Sequence, residues 1–254
     1  MAATLPTDAR AFLFDLDDTL VPWQTTAHWQ WAWHPQGPLL SERHTRSAIK
    51  RAQHAWDRRR WDGLTGDRPP AEFSDYRQHL KETLAAIADR TVPAAEVEAV
   101  VDRFLKPSGG WTTFPDAGPT LDGLAARGDA VGIVTFLPEG VARPALRRAG
   151  LPDPRLVLHG EETGGPTLPS APAFRLACSR LGARPSQTVY VGDLFWSDVR
   201  AAGRAGLTAL LIDRSDAWPR VAARRIRSLR SLLDPLPPPG APSGAPASPP
   251  EAPT

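Results

Sequence analysis

Short apolar runs without polar alternation constrain this chain more than any other feature in it. Ala11 to Phe14, Ala130 to Thr135 and Thr188 to Gly192 each read as a strand buried on both faces. Thr208 to Ile212 reads as a further strand, and Arg155 to His159 is a weaker one. Helical patterns separate the later runs. They span Asp116 to Arg127, closed by Gly128, then Pro138 to Ala149, closed by Gly150. Ala171 to Leu181 is closed by Gly182, and a further helix runs through Ala201 and Ala202. Strands alternating with helices at this spacing predict right-handed β-α-β units. The expected fold is α/β, a doubly wound parallel sheet with helices on both faces.

That alternation is interrupted once. From Val21 to about residue 110 no strand-like run occurs, and apolar residues recur at helical spacing. Ser41 to Trp61 places them at Ala48, Ile49, Ala52, Ala55 and Trp56, and a second stripe is Phe73, Tyr76, Leu80, Leu84 and Ile87. A third helix starts at Pro93 and carries Val97, Val100, Val101, Phe104 and Leu105. The expectation is an all-helical cap, residues 21–110, inserted into a core formed by residues 1–20 and 111–233. Val221 to Leu233 reads as a last helix with a basic outer face. Residues 234–254 are nearly all Pro, Ala, Gly and Ser, a composition that buries too little apolar surface to fold.

Composition narrows the classes of function. The net charge of +2 gives no global attraction to nucleic acid or to an anionic membrane. No apolar run is long enough to span a bilayer, and residues 1–10 lack the pattern of a signal peptide. Cys178 is the sole cysteine, set among Phe174, Ala177 and Leu181, and reads as a core thiol. A reducing, cytoplasmic setting is expected.

The chemistry gathers at strand ends. Asp15 and Asp17 follow the first strand directly, at the edge where open α/β sheets bind ligands. Two crowded carboxylates repel, and a hard dication with oxygen ligands, such as Mg²⁺, resolves the conflict. By itself D-x-D-x-T would serve equally as a helix cap or a turn. The second strand ends in Thr135, a hydroxyl suited to an anionic oxygen. The segment Gly192-Asp193-Leu194-Phe195-Trp196-Ser197-Asp198 follows another strand and brings two further acids to the same edge. Gly192 suits a sharp turn or a close backbone approach.

The DLDDT at Asp15 to Thr19, the apolar run ending at Thr135 and the GDLFWSD at Gly192 to Asp198 together resemble the haloacid dehalogenase superfamily of aspartate-nucleophile hydrolases. Their order, with a helical insert after the first motif, is similar to members bearing a type 1 cap. The resemblance implies that Asp15 attacks phosphorus to form an aspartyl-phosphate. It implies that Asp17 protonates the leaving oxygen and then activates water. Mg²⁺ would be held by Asp15, the backbone carbonyl of Asp17, and Asp193, with Asp198 supporting it directly or through water. Thr135 and Phe136 would bind the phosphoryl group, and Trp23, just past the acidic motif, would roof it. An acid at position 17 separates phosphatases from the dehalogenases, whose halide leaves without a proton.

One part of the pattern is absent. The family places a lysine ahead of the helix that precedes the last motif, and residues 164–174 contain none. The chain has three lysines, Lys50, Lys81 and Lys106. Arg155, Arg175 and Lys106 are the candidates to replace the missing cation. The expected activity is Mg²⁺-dependent hydrolysis of a small phosphorylated metabolite by a monomer or homodimer. A weakly active or inactive relative binding a phosphorylated ligand or a protein is the alternative, and a phosphomutase is a third. The insert's tryptophans, Trp29, Trp31, Trp33, Trp56 and Trp61, read as cap core, and Arg58 to Arg60 as a solvated face.

Overall fold

Among the described residues, six parallel strands form one sheet in the order β3-β2-β1-β4-β5-β6. They are β1 (Ala11–Phe14), β2 (Ala130–Val134), β3 (Leu156–Leu158), β4 (Thr188–Gly192), β5 (Thr208–Ile212) and β6 (Arg225–Ile226). The structure, a computed structural model, describes residues 10–22, 48–50, 52–55, 57–58, 73–88, 90–105, 112–135, 139–151, 156–158, 171–214, 218 and 221–233. The strand order reverses direction at β1, which lies between β2 and β4. A crevice opens there beyond the carboxyl ends of the strands, the usual ligand position in such sheets.

β1 is apolar throughout because both of its faces are covered. Phe12 and Phe14 share one buried cluster with Leu121 and Leu124 of α4 (Ala117–Ala126). Leu13, pointing the other way, joins a second cluster with Ala173, Phe174 and Ala177 of α6 (Ala171–Leu181). Phe14 and Phe174 are wholly buried, each worth about 1.5–3 kcal/mol in removal of apolar surface from water. Two clusters on two faces make the sheet doubly wound, as the unalternating strands predict. α5 (Glu139–Arg148) and the short α7 (Ala201–Ala205) complete the core helices. Cys178 lies buried in the second cluster, its thiol donating to Thr188 Oγ1 at 3.5 Å, as a core thiol should.

Between residues 22 and 112 the described residues hold helices and no strand. Helical residues 48–50, 52–55 and 57–58 make up α1. α2 (Phe73–Ile87) and α3 (Ala94–Leu105) follow, bridged by Arg77 to Glu98 and Asp102 and by Lys81 to Glu98. Ile49, Leu80, Leu84, Val100, Val101 and Phe104 join the cluster that contains Leu16, Leu20 and Val21 of the core. The chain leaves the sheet at Leu20 and returns at Phe114, whose amide donates to the Leu20 carbonyl at 3.1 Å. Arg214 ties the same point together. It makes a forked pair with Asp116 at 3.0 Å and donates to the Thr19 carbonyl, with its guanidinium over the Phe114 ring.

Two expectations need correction. Val221 to Leu233 is not a helix: it divides into β6 and a 3₁₀ turn at Leu229–Leu232. Pairing of β6 with β5, and hydrogen bonds from Ser228 Oγ and the Leu229 amide to Asp116, override the local helical pattern. In α1, Ala55 is exposed and Ala52 half-buried. The inward face runs instead through Ile49, Gln53 and Asp57. Trp56, Phe73, Tyr76 and Leu105 have side chains outside the described residues, as do residues 234–254 altogether.

Candidate active site

Register places the acids. Phe14 is paired with Val191 of β4, so Asp15 leaves β1 beside Gly192 and Asp193. The Asp15 amide continues the ladder to the Val191 carbonyl at 2.9 Å. Phe14 is also paired with Ile133, which brings Thr135, just beyond β2, to the same edge. Carboxylate oxygens of Asp15, Asp193 and Asp198 all lie within 4.8 Å of one another, and all three residues are buried. Asp17 and Thr135 are buried at the same strand ends. Phe136 and Trp23 lie outside the described residues.

The turn after β4 is built around Asp198. Its Oδ2 accepts from the Leu194 amide at 2.9 Å, and its Oδ1 accepts from the buried Tyr190 hydroxyl at 2.9 Å. A Cβ added to Gly192 would sit 2.3 Å from Asp198 Oδ2, so the glycine serves a close approach rather than an unusual backbone angle. A single π-helical turn, Phe195–Arg200, then carries Asp198 back under the loop.

Burial, then the neighbouring carboxylates of Asp198, Asp193 and Asp17, pushes Asp15 well above the ordinary carboxylate range. Burial and Asp193 do the same to Asp198. Asp193 is pushed up to about 6, chiefly by burial and against the opposing pull of Lys50. Asp15 Oδ2 is buried without a hydrogen-bond partner. An orphaned carboxylate oxygen beside two further buried carboxylates is a donor set that suits a hard divalent cation such as Mg²⁺.

Among the described residues, a cation reaches these acids from the insert. Lys50 Nζ on α1 lies 3.1 Å from Asp18 Oδ2 and 3.1 Å from Asp193 Oδ2. One turn on, Gln53 Nε2 donates to the same Asp18 oxygen at 3.0 Å. A further turn on, Asp57 accepts from the amides of Trp196 and Ser197 at 2.8 and 2.9 Å. Those amides open the π-helical turn and would otherwise lack partners, so Asp57 caps it from another part of the chain. Burial outweighs these donors and pushes Asp57 up to about 6. Burial pulls the Lys50 ammonium down, but Asp18 and Asp193 more than offset that and hold it above its usual range. Trp218 closes the far side, its indole donating to the Asp193 carbonyl at 3.0 Å while His54 stacks on its ring.

A haloacid dehalogenase-like hydrolase family model matches residues 9–206. The chain belongs to that family. Among characterised haloacid dehalogenase-like hydrolases it is 28% identical to the ribulose-1,5-bisphosphate 5-phosphatase of Halopiger xanaduensis over 230 residues, covering 82% of this chain and 86% of that one. It is 29% identical to the glyceraldehyde 3-phosphate phosphatase of Methanopyrus kandleri over 223 residues, 81% and 84% of the two chains. The fold is similar to that of the magnesium-bound hydrolase YfnB of Bacillus subtilis, with a TM-score of 0.66 at 20% identity, covering 91% and 99%.

Within that family frame, Asp15, Asp193 and Asp198 converge as the motifs predict. Asp18, at a turn where an aspartate is ordinarily solvated, is instead buried and anchors Lys50 and Gln53. Arg175 is exposed and donates to the Arg204 carbonyl, so it is not the replacement cation. Arg155 and Lys106 fall outside the described residues. In the sequence Lys50 stands out only as one of three lysines and Gln53 and Asp57 belong to no motif, although their spacing of three and four residues sets a polar stripe on one helix face.

Proposed function

We propose that this hydrolase is a Mg²⁺-dependent phosphatase of a small phosphate monoester, acting through an aspartyl-phosphate on Asp15. The observation that carries this reading is the buried, unpartnered Asp15 Oδ2 beside the carboxylates of Asp193 and Asp198. Relatives that match over most of their length and dephosphorylate small phosphorylated sugars support the substrate class. Asp15, the Asp17 carbonyl, Asp193 and Asp198 would hold Mg²⁺. When bound, the ion supplies positive charge to the nucleophilic carboxylate and to the phosphoryl oxygens.

The protein's own groups do the rest. An Asp15 oxygen forms the new bond to phosphorus as the ester oxygen departs, and Asp17 gives that oxygen its proton. Asp17 then removes a proton from the water that cleaves the acyl phosphate, restoring both acids. Thr135 donates its hydroxyl to a phosphoryl oxygen, and Phe136 and Trp23 are the further candidates for substrate contact that the sequence offers. Positioning and fixed charge supply most of the acceleration in such a transfer.

Turnover of p-nitrophenyl phosphate with Mg²⁺ tests this directly. Wild-type protein should release phosphate, Asp15→Asn should lose at least about 10³-fold in kcat, and a panel of sugar phosphates should name the better substrates. Absence of Asp15-dependent turnover across that panel would leave a phosphate-binding relative in its place. Transfer of phosphate between positions of one sugar, without release, would mark a mutase.

A further inference from the structure

We propose that Lys50, delivered by the insert helix α1, is the cation that binds the transferring phosphoryl group in this chain. The proposal rests on the phosphatase reading above and adds a residue to it. A phosphate monoester carries negative charge into a crevice lined by Asp15, Asp17, Asp18, Asp193 and Asp198, all buried. One divalent ion does not neutralise that set together with the substrate. Residues 164–174 ahead of α6 supply no cation. Of the three lysines, Lys81 is paired with Glu98 between α2 and α3, and Lys106 lies outside the described residues.

Lys50 meets the requirement by geometry. Its ammonium is 3.1 Å from Asp193 Oδ2, and Asp193 is itself one of the three converging carboxylates. An ammonium has three N–H donors, and Asp18 and Asp193 account for two of them. The third is left for a phosphoryl oxygen. The side chain is 22% exposed, so it is not sealed from solvent.

The surroundings hold it there. Asp18 has φ of 57°, a left-handed position that glycine fills at no steric cost and that aspartate tolerates. Aspartate at this position places a carboxylate that glycine would lack, and that carboxylate takes both Lys50 and Gln53. Asp57 fixes the same helix to the motif loop two turns from Lys50. Throughout the reaction Lys50 keeps its proton: the bond to Asp15 forms, the ester bond breaks, and the leaving oxygen is protonated by Asp17.

Lys50→Met, Lys50→Gln and Lys50→Arg in the full chain test the assignment, with Lys81→Met as a control away from the site. Binding of inorganic phosphate in the presence of Mg²⁺ is measured by calorimetry beside p-nitrophenyl phosphate turnover. Lys50→Met and Lys50→Gln should weaken phosphate binding at least about tenfold and lower kcat/KM by about 10²–10³. Lys50→Arg should recover part of both, and Lys81→Met should match wild type. Gln keeps the stem polar and reads the same loss if Met disturbs folding. Phosphate affinity unchanged in folded Lys50→Gln, or equally reduced in Lys50→Arg, overturns the assignment. If wild type shows no Asp15-dependent turnover, the phosphatase reading falls separately. Phosphate binding then still decides, and its absence from wild type, or its persistence in Lys50→Gln, counts against Lys50.

Discussion

Gly192 has no left-handed backbone to explain it, and its role is set by a single distance. A methyl group there would lie 2.3 Å from Asp198 Oδ2 and 2.4 Å from its Cγ. Asp198 cannot withdraw freely, because its two oxygens hold the Tyr190 hydroxyl and the Leu194 amide. Gly192→Ala should therefore destabilise the fold by about 1–3 kcal/mol and weaken Mg²⁺ binding; urea unfolding and metal titration measure the two. A variant as stable as wild type would show that the loop relaxes at no cost. His54 makes a second prediction. Burial, then the Lys50 ammonium, pulls its pKa from 6.5 to about 4, and its Nε2 is buried without a partner. As pH falls, the unfolded chain takes up that proton first. The contribution of His54 to stability is complete above about 6.5 and is lost as pH falls toward 4. His54→Phe retains a ring for Trp218 and has nothing to titrate, so its denaturation midpoint should decline less over that window. Parallel curves for the two proteins would exclude His54 as the source.

Among the elements, α1 differs most from what its letters imply. Its alanines and Ile49 draw attention to an apolar stripe, yet Gln53 and Asp57 lie on the buried side with Ile49. The partners of that polar stripe are remote in the chain: Asp193 is 143 residues from Lys50 and Ser197 is 140 from Asp57. Local periodicity carries no information at such separations. β1, β2, β4 and β5 were legible for the opposite reason, since an unalternating apolar run marks each one, whereas β6, Arg225–Ile226, is too short and too polar to show such a run. Asp15, Asp193 and Asp198 were legible because strand ends in a parallel sheet share an edge, so three separate positions could be brought together without a contact map. Asp18 was not, because an aspartate in a turn is ordinarily solvated and only the incoming helix makes it an anchor. Asp57→Ala should strip the cap from the Phe195–Arg200 turn and cost about 1–2 kcal/mol. Hydrogen exchange at the Trp196 and Ser197 amides should accelerate in that variant, and unchanged protection would mean that they find other partners.

At the scale of the whole molecule, the buried acids burden the metal-free fold, and a bound divalent ion would relieve it. Saturating Mg²⁺ should raise the melting temperature: about 2.7 kcal/mol at a hundredfold excess over Kd corresponds to roughly 5–10 °C for a chain of this size. Asp193→Asn should shrink that rise, and a scan with and without the ion reads it. An unchanged melting temperature in wild type would place the ion elsewhere or nowhere. No helix among the described residues is long and apolar enough to cross a membrane.

The contact of Phe114 with Leu20, clasped by Arg214, has its own consequence. Departure and return lie side by side, so the excursion between them begins and ends at one point of the core, while α1 meets the crevice separately through Lys50, Gln53 and Asp57. A swing about that point would lift ammonium, amide and carboxylate of α1 off the crevice in a single stroke, and substrate entry and the assembly of positive charge would then be opposite phases of the same movement.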